Sequence, residues 1–178
     1  MPNSYTIETH KHRLAAWAAS SASSAVKNYR FPVSMGTEIL EQAGFTPEFS
    51  INNSLPSPEN TDPTHKEWRE QIIYASQQKH SHAFTHGIAA KLINCYLKVR
   101  FVCGGDHADS RVQAIHPPID RLLLQDLAKE LGGDWKPYRI KAWSKFSSQE
   151  YQEVIDLIRL TIPNRPLWEI EKHWIGHQ

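Results

Sequence analysis

Apolar residues recur every three or four positions along most of this 178-residue chain, and this spacing leaves little room for any fold but a helical one. Helix-start signals accompany the spacing. Ser147 with Glu150 has the pattern of a capping box, and so does Thr64 with Glu67. No series of alternating apolar and polar residues indicates a β-strand. The sequence therefore predicts an all-α protein.

The helical pattern is interrupted at proline, glycine and polar stretches. Gly44 follows the second predicted helix, and Pro117 begins the fifth. The proline-rich stretch 45–63 predicts a long surface excursion, and the polar stretch 104–116 predicts a loop. The predicted helices run from Ser4 or Thr6 to about Lys27, then over 33–43, 64–79, 87–102 and 117–131, with one after Ser147 and one opened by Pro166.

The length suits one domain or two closely joined lobes. About 40% of the residues are apolar and six are tryptophan, so a packed core is feasible and the disordered classes are excluded. We expect one helical domain over 1–178, with a cleft between two lobes. The lobes would be 1–80 together with 147–178, and 81–146.

Cysteine usage and hydropathy indicate the cellular setting. Cys95 and Cys103 cannot form a disulfide framework or, alone, hold an iron–sulfur cluster. No apolar run approaches the roughly 20 residues of a membrane span, and the polar segment 1–11 has no secretory signal. These features favour a cytoplasmic protein with no membrane partner. We also expect a monomer without a cofactor.

Histidines occur close together in several places, but metal binding is not indicated. His80 and His82 flank a turn without an accompanying carboxylate, and His173 and His177 lie at the end of the chain. We therefore expect no metal site.

Positive charge is concentrated in the middle of the chain. Residues 81–145 contain ten Lys or Arg and six Asp or Glu, whereas the whole chain has a net charge of +1. A local excess of this kind suits a polyanion such as nucleic acid. Chance unevenness explains the charge pattern equally well.

The segment 81–124 carries the residues that point to chemistry. Lys91 lies near the start of a predicted helix, and Asp120 lies at the start of a later one. A carboxylate can stabilise the positive charge that develops on a sugar when a base departs, and a neutral amine can form a Schiff base with that sugar. Taken singly, Lys91 is typical of a solvated lysine, and Asp120 is typical of a helix N-terminus.

Two short motifs place this lysine and this aspartate in a known pattern. Gly87-Ile-Ala-Ala-Lys91-Leu-Ile-Asn94 and Ile119-Asp120-Arg121-Leu122-Leu123 resemble the two signature elements of the helix-hairpin-helix DNA glycosylases. In that family, Gly-hydrophobic-Gly-x-Lys-x-x-(Asn/Asp) begins an apolar helix, and a hydrophobic-Asp pair opens another. The resemblance implies that Lys91 occupies the catalytic lysine position and Asp120 the position of the invariant aspartate.

The chain departs from the family at two places. Ala89 stands where the family has a second hairpin glycine, which weakens the expected backbone grip on a phosphate. The spacing of 29 positions between Lys91 and Asp120 is longer than usual in the family. The additional residues fall in the predicted loop after Gly104, where insertions are tolerated.

The resemblance implies a DNA glycosylase that releases a modified or damaged base. One variant of this activity would include an AP-lyase reaction through Lys91. One class of substrate would be a hypermodified phage base, which the enzyme would remove in antiviral defence. The partner would be DNA. The residues expected to contact DNA are His86, Gly87, Lys98, Arg100 and Arg121, and those expected to form the pocket for a flipped base are His10, Arg13, Trp17 and Trp143.

Two other function classes remain open from the sequence. One is a non-catalytic helical module that binds nucleic acid through a degenerate hairpin, and the other is a protein-interaction or toxin-like helical domain with no nucleic-acid role. The enzyme hypothesis requires Lys91 and Asp120 to lie within about 10 Å of each other and to face a common cleft.

Overall fold

The computed structural model describes residues 5–24, 26, 29–79 and 83–176. The prediction of an all-α protein is confirmed, since these residues form helices and no strand. The α-helices are α1 (Ile7–Ser23), α2 (Val33–Gln42), α3 (Ile51–Ser54), α4 (Thr61–Gln77), α5 (His86–Leu97), α6 (Ser110–Gln113), α7 (Arg121–Glu130) and α8 (Ser148–Thr161). A π-helical segment covers Lys98–Asp106, and 3₁₀ segments cover Pro58–Asn60, Gly133–Arg139, Trp143–Lys145 and Leu167–His173.

Side-chain caps define several helix starts. Thr6 accepts a hydrogen bond from the Thr9 amide at the start of α1, and the capping box of Ser147 and Glu150 is present at α8. The second predicted capping box is wrong, because α4 begins at Thr61. There the 3₁₀ turn Pro58–Asn60 leads directly into the helix, which has already begun when the chain reaches residue 64.

The segment 45–63 is not a surface excursion throughout. The rings of Phe45 and Phe49 stack with centroids 4.9 Å apart, and both are buried together with Leu55. The short helix α3 lies within this stretch. Phe45 and Phe49, on either side of Pro47, fill part of the core, so the prediction is wrong for this part.

Helix α5 runs through the middle of the molecule and packs against α1 and α4. It ends at Leu97 and continues as the π-helical segment, whose regular backbone is interrupted at Gly105 with a φ of +104°. The predicted loop 104–116 contains α6, and Val112 is fully buried there. None of the helices in the described ranges is both long enough and apolar enough to cross a membrane.

Two apolar clusters form the core. The first joins α1, α2, α4 and α5 with the segment that follows α2. The second joins α7, α8 and the segment Leu167–His173. Residues 147–170 share this cluster with 119–146, and they also contact α4, where Tyr151 stacks on His65 and Arg159 pairs with Asp62. The clusters meet at α5, where Ala89 belongs to the first and Ala90 to the second.

Candidate active site

Lys91 and Asp120 are in direct contact. Lys91 Nζ donates a hydrogen bond to Asp120 Oδ2 at 3.1 Å, so the two groups meet the proximity that the enzyme hypothesis requires. Lys91 lies in the second turn of α5, and its side chain is only 8% exposed. Asp120 is the N-cap of α7, one residue before the helix, and its Oδ1 accepts from the Leu123 amide at 2.9 Å. Both carboxylate oxygens are thus fixed.

This ion pair lies on the wall of a cavity of about 600 Å³ between the two apolar clusters. Ligand pockets in proteins commonly have volumes of this order. Small residues of α1, Ala18 and Ala22, form one side, and Trp143 and Trp174 form others. The ionisable side chains that line the cavity are Lys91, Cys95, Lys98, Asp120, Arg121 and Glu171.

Each lysine of the cavity lies close to an indole ring. Lys91 Nζ is 5.9 Å from the ring centroid of Trp143, and Lys98 Nζ is 5.8 Å from that of Trp174. An ammonium group at this distance is attracted to the ring face. The structure therefore places Trp143 in the cavity, as expected for the base pocket, together with Trp174, which the sequence analysis did not select for the pocket.

Gly87 is required by internal packing. A Cβ atom at this position would lie 1.9 Å from the carbonyl oxygen of Trp143. The Gly87 amide donates to the Phe146 carbonyl at 3.3 Å, and Thr85 Oγ1 donates to the Ser144 carbonyl at 2.7 Å. These contacts hold the segment that carries the Trp143 ring. Gly87 is buried, so the expectation that it contacts DNA is not supported by its position.

His86 and Arg100, also expected to contact DNA, are directed into the protein. His86 is half-buried, its Nδ1 is shielded from solvent, and burial lowers its pKa. The Arg100 side chain is only 1% exposed and donates to the carbonyl oxygens of Thr46 at 3.2 Å and Pro47 at 2.6 Å. Arg100 thus links residues 46–47 to the π-helical segment by hydrogen bonds. The expectation that it contacts DNA is wrong. Lys98 and Arg121 both line the cavity.

His10, Arg13 and Trp17 do not line this cavity. They share one face of α1, as their spacing predicts, but the alanines of a neighbouring face point towards the cavity. His10 Nδ1 is hydrogen-bonded to the Tyr5 hydroxyl at 2.7 Å, and Arg13 lies over the Tyr5 ring. Trp17 is 57% exposed. The spacing of the three residues correctly predicted that they share a face of α1, but it did not show that this face points away from the cavity.

Glu171 is the main site residue that sequence reasoning missed. Its carboxyl group contacts Lys98 Nζ through Oε2, and burial raises its pKa. A signal was present, because Leu167, Ile170 and Trp174 have the spacing of an apolar stripe, and Glu171 occupies the remaining position of that stripe. An acidic residue on an apolar helix face is unusual and indicates a specific role.

Asn94 links the two elements that carry the ion pair. It lies one turn after Lys91, and its Nδ2 donates to the Pro117 carbonyl, three residues before Asp120, and to the Tyr151 hydroxyl, each at 2.9 Å. Asn94 is fully buried. The position of the carboxylate relative to the lysine is therefore fixed by a hydrogen-bonded core as well as by their own contact.

This network continues through two buried histidines. His65 Nε2 is hydrogen-bonded to Asn94 Oδ1 at 2.7 Å, and His116 bridges the Tyr151 hydroxyl at 3.1 Å and Asp62 Oδ1 at 2.9 Å. Burial lowers the pKa of both histidines. Burial alone would raise the pKa of Asp62, but its bonds to His116 and to the Arg159 guanidinium bring it well below its usual range.

Among the described residues, no group of three or more His, Cys, Asp or Glu has an arrangement that would hold a metal ion. His80, His82 and His177 lie outside the described residues.

Comparison of the chain with protein-family models, with curated protein sequences and with solved structures finds no match in any of the three. The resemblance to helix-hairpin-helix DNA glycosylases therefore depends on the motifs around Lys91 and Asp120 and stays a prediction.

Proposed function

We propose that the protein is a DNA glycosylase, an enzyme that cleaves the N-glycosidic bond of a modified or damaged base. The observation that carries this proposal is the contact of Lys91 Nζ with Asp120 Oδ2 on the wall of a cavity large enough for a nucleobase. Trp143 and Trp174 provide flat apolar walls of the kind on which a base stacks after it leaves the duplex.

Asp120 would act at the sugar. When the bond between the base and the sugar carbon breaks, the electron pair departs with the base and positive charge develops on the sugar. A carboxylate fixed near that carbon stabilises the charge and accepts a proton from the attacking water. The α7 amide and the Lys91 ammonium hold the Asp120 carboxylate in one orientation, so little reorganisation is needed.

Lys91 has two possible roles in this proposal. As an ammonium, it orients Asp120 and adds positive charge near the phosphates. As a neutral amine, it attacks the sugar carbon and forms a Schiff base, which leads to strand cleavage. Borohydride treatment distinguishes the roles: a trapped protein–DNA adduct that Lys91→Gln abolishes indicates the lyase, and intact abasic sites without an adduct indicate attack by water.

The non-catalytic module is the less favoured alternative. It would grip phosphates through the turn at Gly87 and the basic residues near it. Gly87 packs against the Trp143 carbonyl, and Arg100 is bound to internal carbonyls. Arg121 is exposed beside the cavity and would be left to contact a phosphate. The enzyme hypothesis accounts for that contact equally well.

The test uses several genomic DNAs, including DNA of phages with modified bases, and measures abasic sites. Asp120→Asn retains an oxygen that can cap α7 but lacks the negative charge. We expect it to slow base release at least about 10²-fold. Asp109→Asn is a matched control, because Asp109 also caps a helix and lies outside the cavity. It should retain wild-type activity.

Two results would contradict the proposal. One is the absence of abasic sites with every DNA tested. The other is near-normal release by an Asp120→Asn protein whose circular dichroism shows that it is folded.

A further inference from the structure

Glu171 brings a second carboxyl group to the cavity from a different part of the chain. It belongs to the segment Leu167–His173, whereas Asp120 precedes α7. Its side chain is 14% exposed, and Lys98 Nζ contacts its Oε2. The other oxygen, Oε1, is shielded from solvent and has no hydrogen-bond partner among the described residues. A shielded carboxylate oxygen without a partner is costly, so a ligand or a proton is expected at this group.

The surroundings of Glu171 make its charge less favourable than that of a solvated glutamate. Burial is the main cause of its raised pKa, and the Asp120 carboxylate acts in the same direction. Lys98 and Lys91 oppose the shift but do not cancel it. The ionisable groups that face the cavity with Glu171 are Lys91, Cys95, Lys98, Asp120 and Arg121.

The two carboxyl groups are therefore set for different tasks. Both oxygens of Asp120 are occupied, one by Lys91 Nζ and one by a helix N-terminal amide, whereas Oε1 of Glu171 has no hydrogen-bond partner among the described residues. Glu171 takes up a proton more readily. A pair of carboxyl groups that differ in this way is suited to acid and base roles in glycosidic cleavage.

We infer that Glu171 is the acid of this cavity: it contacts the base part of the substrate and gives that base the proton with which it departs. The inference rests on the proposed glycosylase function. As the bond between the sugar carbon and the base nitrogen breaks, the electron pair goes to the base. The proton of Glu171 goes to a ring nitrogen of that base, and Glu171 is left as a carboxylate beside Lys98. Water restores the proton after the product leaves.

This role defines a substrate class. An acid is useful only for a base that is neutral before cleavage and has a basic ring nitrogen, since an alkylated, permanently cationic base departs without a proton. The cavity wall also carries Lys91, Lys98 and Arg121 against two carboxyl groups, which disfavours a cationic ligand. The substrate is thus a neutral base with a free ring nitrogen.

The experiment compares Glu171→Gln with Glu169→Gln. Glu169 lies on the same 3₁₀ segment and is also paired with a cation, Arg165, but it does not line the cavity. The first measurement is single-turnover base release from about pH 5.5 to about pH 8.5. We expect Glu171→Gln to be at least about 10²-fold slower and to lose the decline in rate at high pH, because the amide cannot donate an acidic proton. Glu169→Gln should match the wild type.

The second measurement does not require activity. Free adenine, a neutral base with basic ring nitrogens, is titrated against the protein, and tryptophan fluorescence reports occupancy because Trp143 and Trp174 line the cavity. At the acidic end of the same pH range we expect Glu171→Gln to bind adenine about tenfold more weakly than the wild type or Glu169→Gln, since it lacks the proton that the protonated acid shares with the ring nitrogen.

The outcomes separate this inference from the proposed function. If Asp120→Asn is slow and Glu171→Gln is as fast as the wild type, the glycosylase function stands and the acid role of Glu171 is overturned. If no DNA loses a base, the proposed function fails and the adenine titration decides whether Glu171 contacts a base. Equal binding by wild type and Glu171→Gln, or no binding to either, overturns that contact.

Discussion

The buried histidines predict that mild acid destabilises the protein. His65 and His116 are fully buried with ring centroids 4.4 Å apart, and His65 stacks on Tyr151. Burial lowers the pKa of both, and for His116 it outweighs the opposing effect of Asp62. Both therefore bind a proton less readily in the folded protein than in the unfolded chain, and His65 the less readily of the two. In the unfolded chain they titrate at about 6.5, so below this pH the unfolded state takes up more protons and is favoured.

The size of the effect follows from this difference. A histidine that stays neutral in the folded state lowers the free energy of unfolding by about 1.4 kcal/mol at pH 5.5, relative to pH well above 6.5. His65, whose pKa is lowered the most clearly, contributes close to this amount, and His116 adds up to the same. Asp62 does not contribute in this range, because a carboxyl with a lowered pKa loses its stabilising effect only at more acidic pH.

Urea unfolding at pH 7.5 and pH 5.5, followed by circular dichroism, measures the effect. The wild type should lose between about 1.4 and about 2.8 kcal/mol over this interval. His65→Gln keeps a donor for Asn94 and should lose about 1.4 kcal/mol less, whereas His107→Gln, at an exposed position, should behave as the wild type. Equal stability at the two pH values, or an unchanged pH dependence in His65→Gln, would refute the reasoning.

Three further substitutions test the assignments of the turn and of the basic residues. Gly87→Ala should lower the free energy of unfolding by about 1–3 kcal/mol, measured in urea, because its Cβ would overlap the Trp143 carbonyl. Arg100→Met should lower it by about 1–3 kcal/mol, because two part-buried carbonyls lose their donor, and undiminished stability would contradict the internal role. Arg121→Glu should weaken DNA binding for all sequences and flatten its salt dependence, and an unchanged salt slope would remove this residue from the DNA surface.

The sequence was most informative where one local rule decides the outcome. Ser147 and Glu150 marked a helix start because both halves of a capping box lie within four residues. It was least informative about which elements pack against the apolar face of a given helix. The apolar stripe of α8 shows that the helix has a buried side, but only the tertiary structure shows that α5 and the segment Leu167–His173 pack against it. The division of the chain into two lobes stays a prediction.

The candidate site was predicted in part. Lys91 and Asp120 could be paired from motifs, and their contact was then observed. Arg100 could not be placed, because sequence does not distinguish a basic side chain in solvent from one whose guanidinium binds buried carbonyls. Trp174 and Glu171 come from a segment with no recognised motif, and they reach the cavity only through tertiary packing.

The segment that supplies Glu171 and Trp174 has a consequence for synthesis on the ribosome. Lys91 and Asp120 emerge early enough to pair while the remaining chain is still being translated, but one wall of the cavity belongs to residues 167–174. A nascent chain that has reached residue 165 therefore lacks the wall of the cavity that Glu171 and Trp174 form. The cavity is assembled last, so a truncated translation product would have a wall of the pocket open to water.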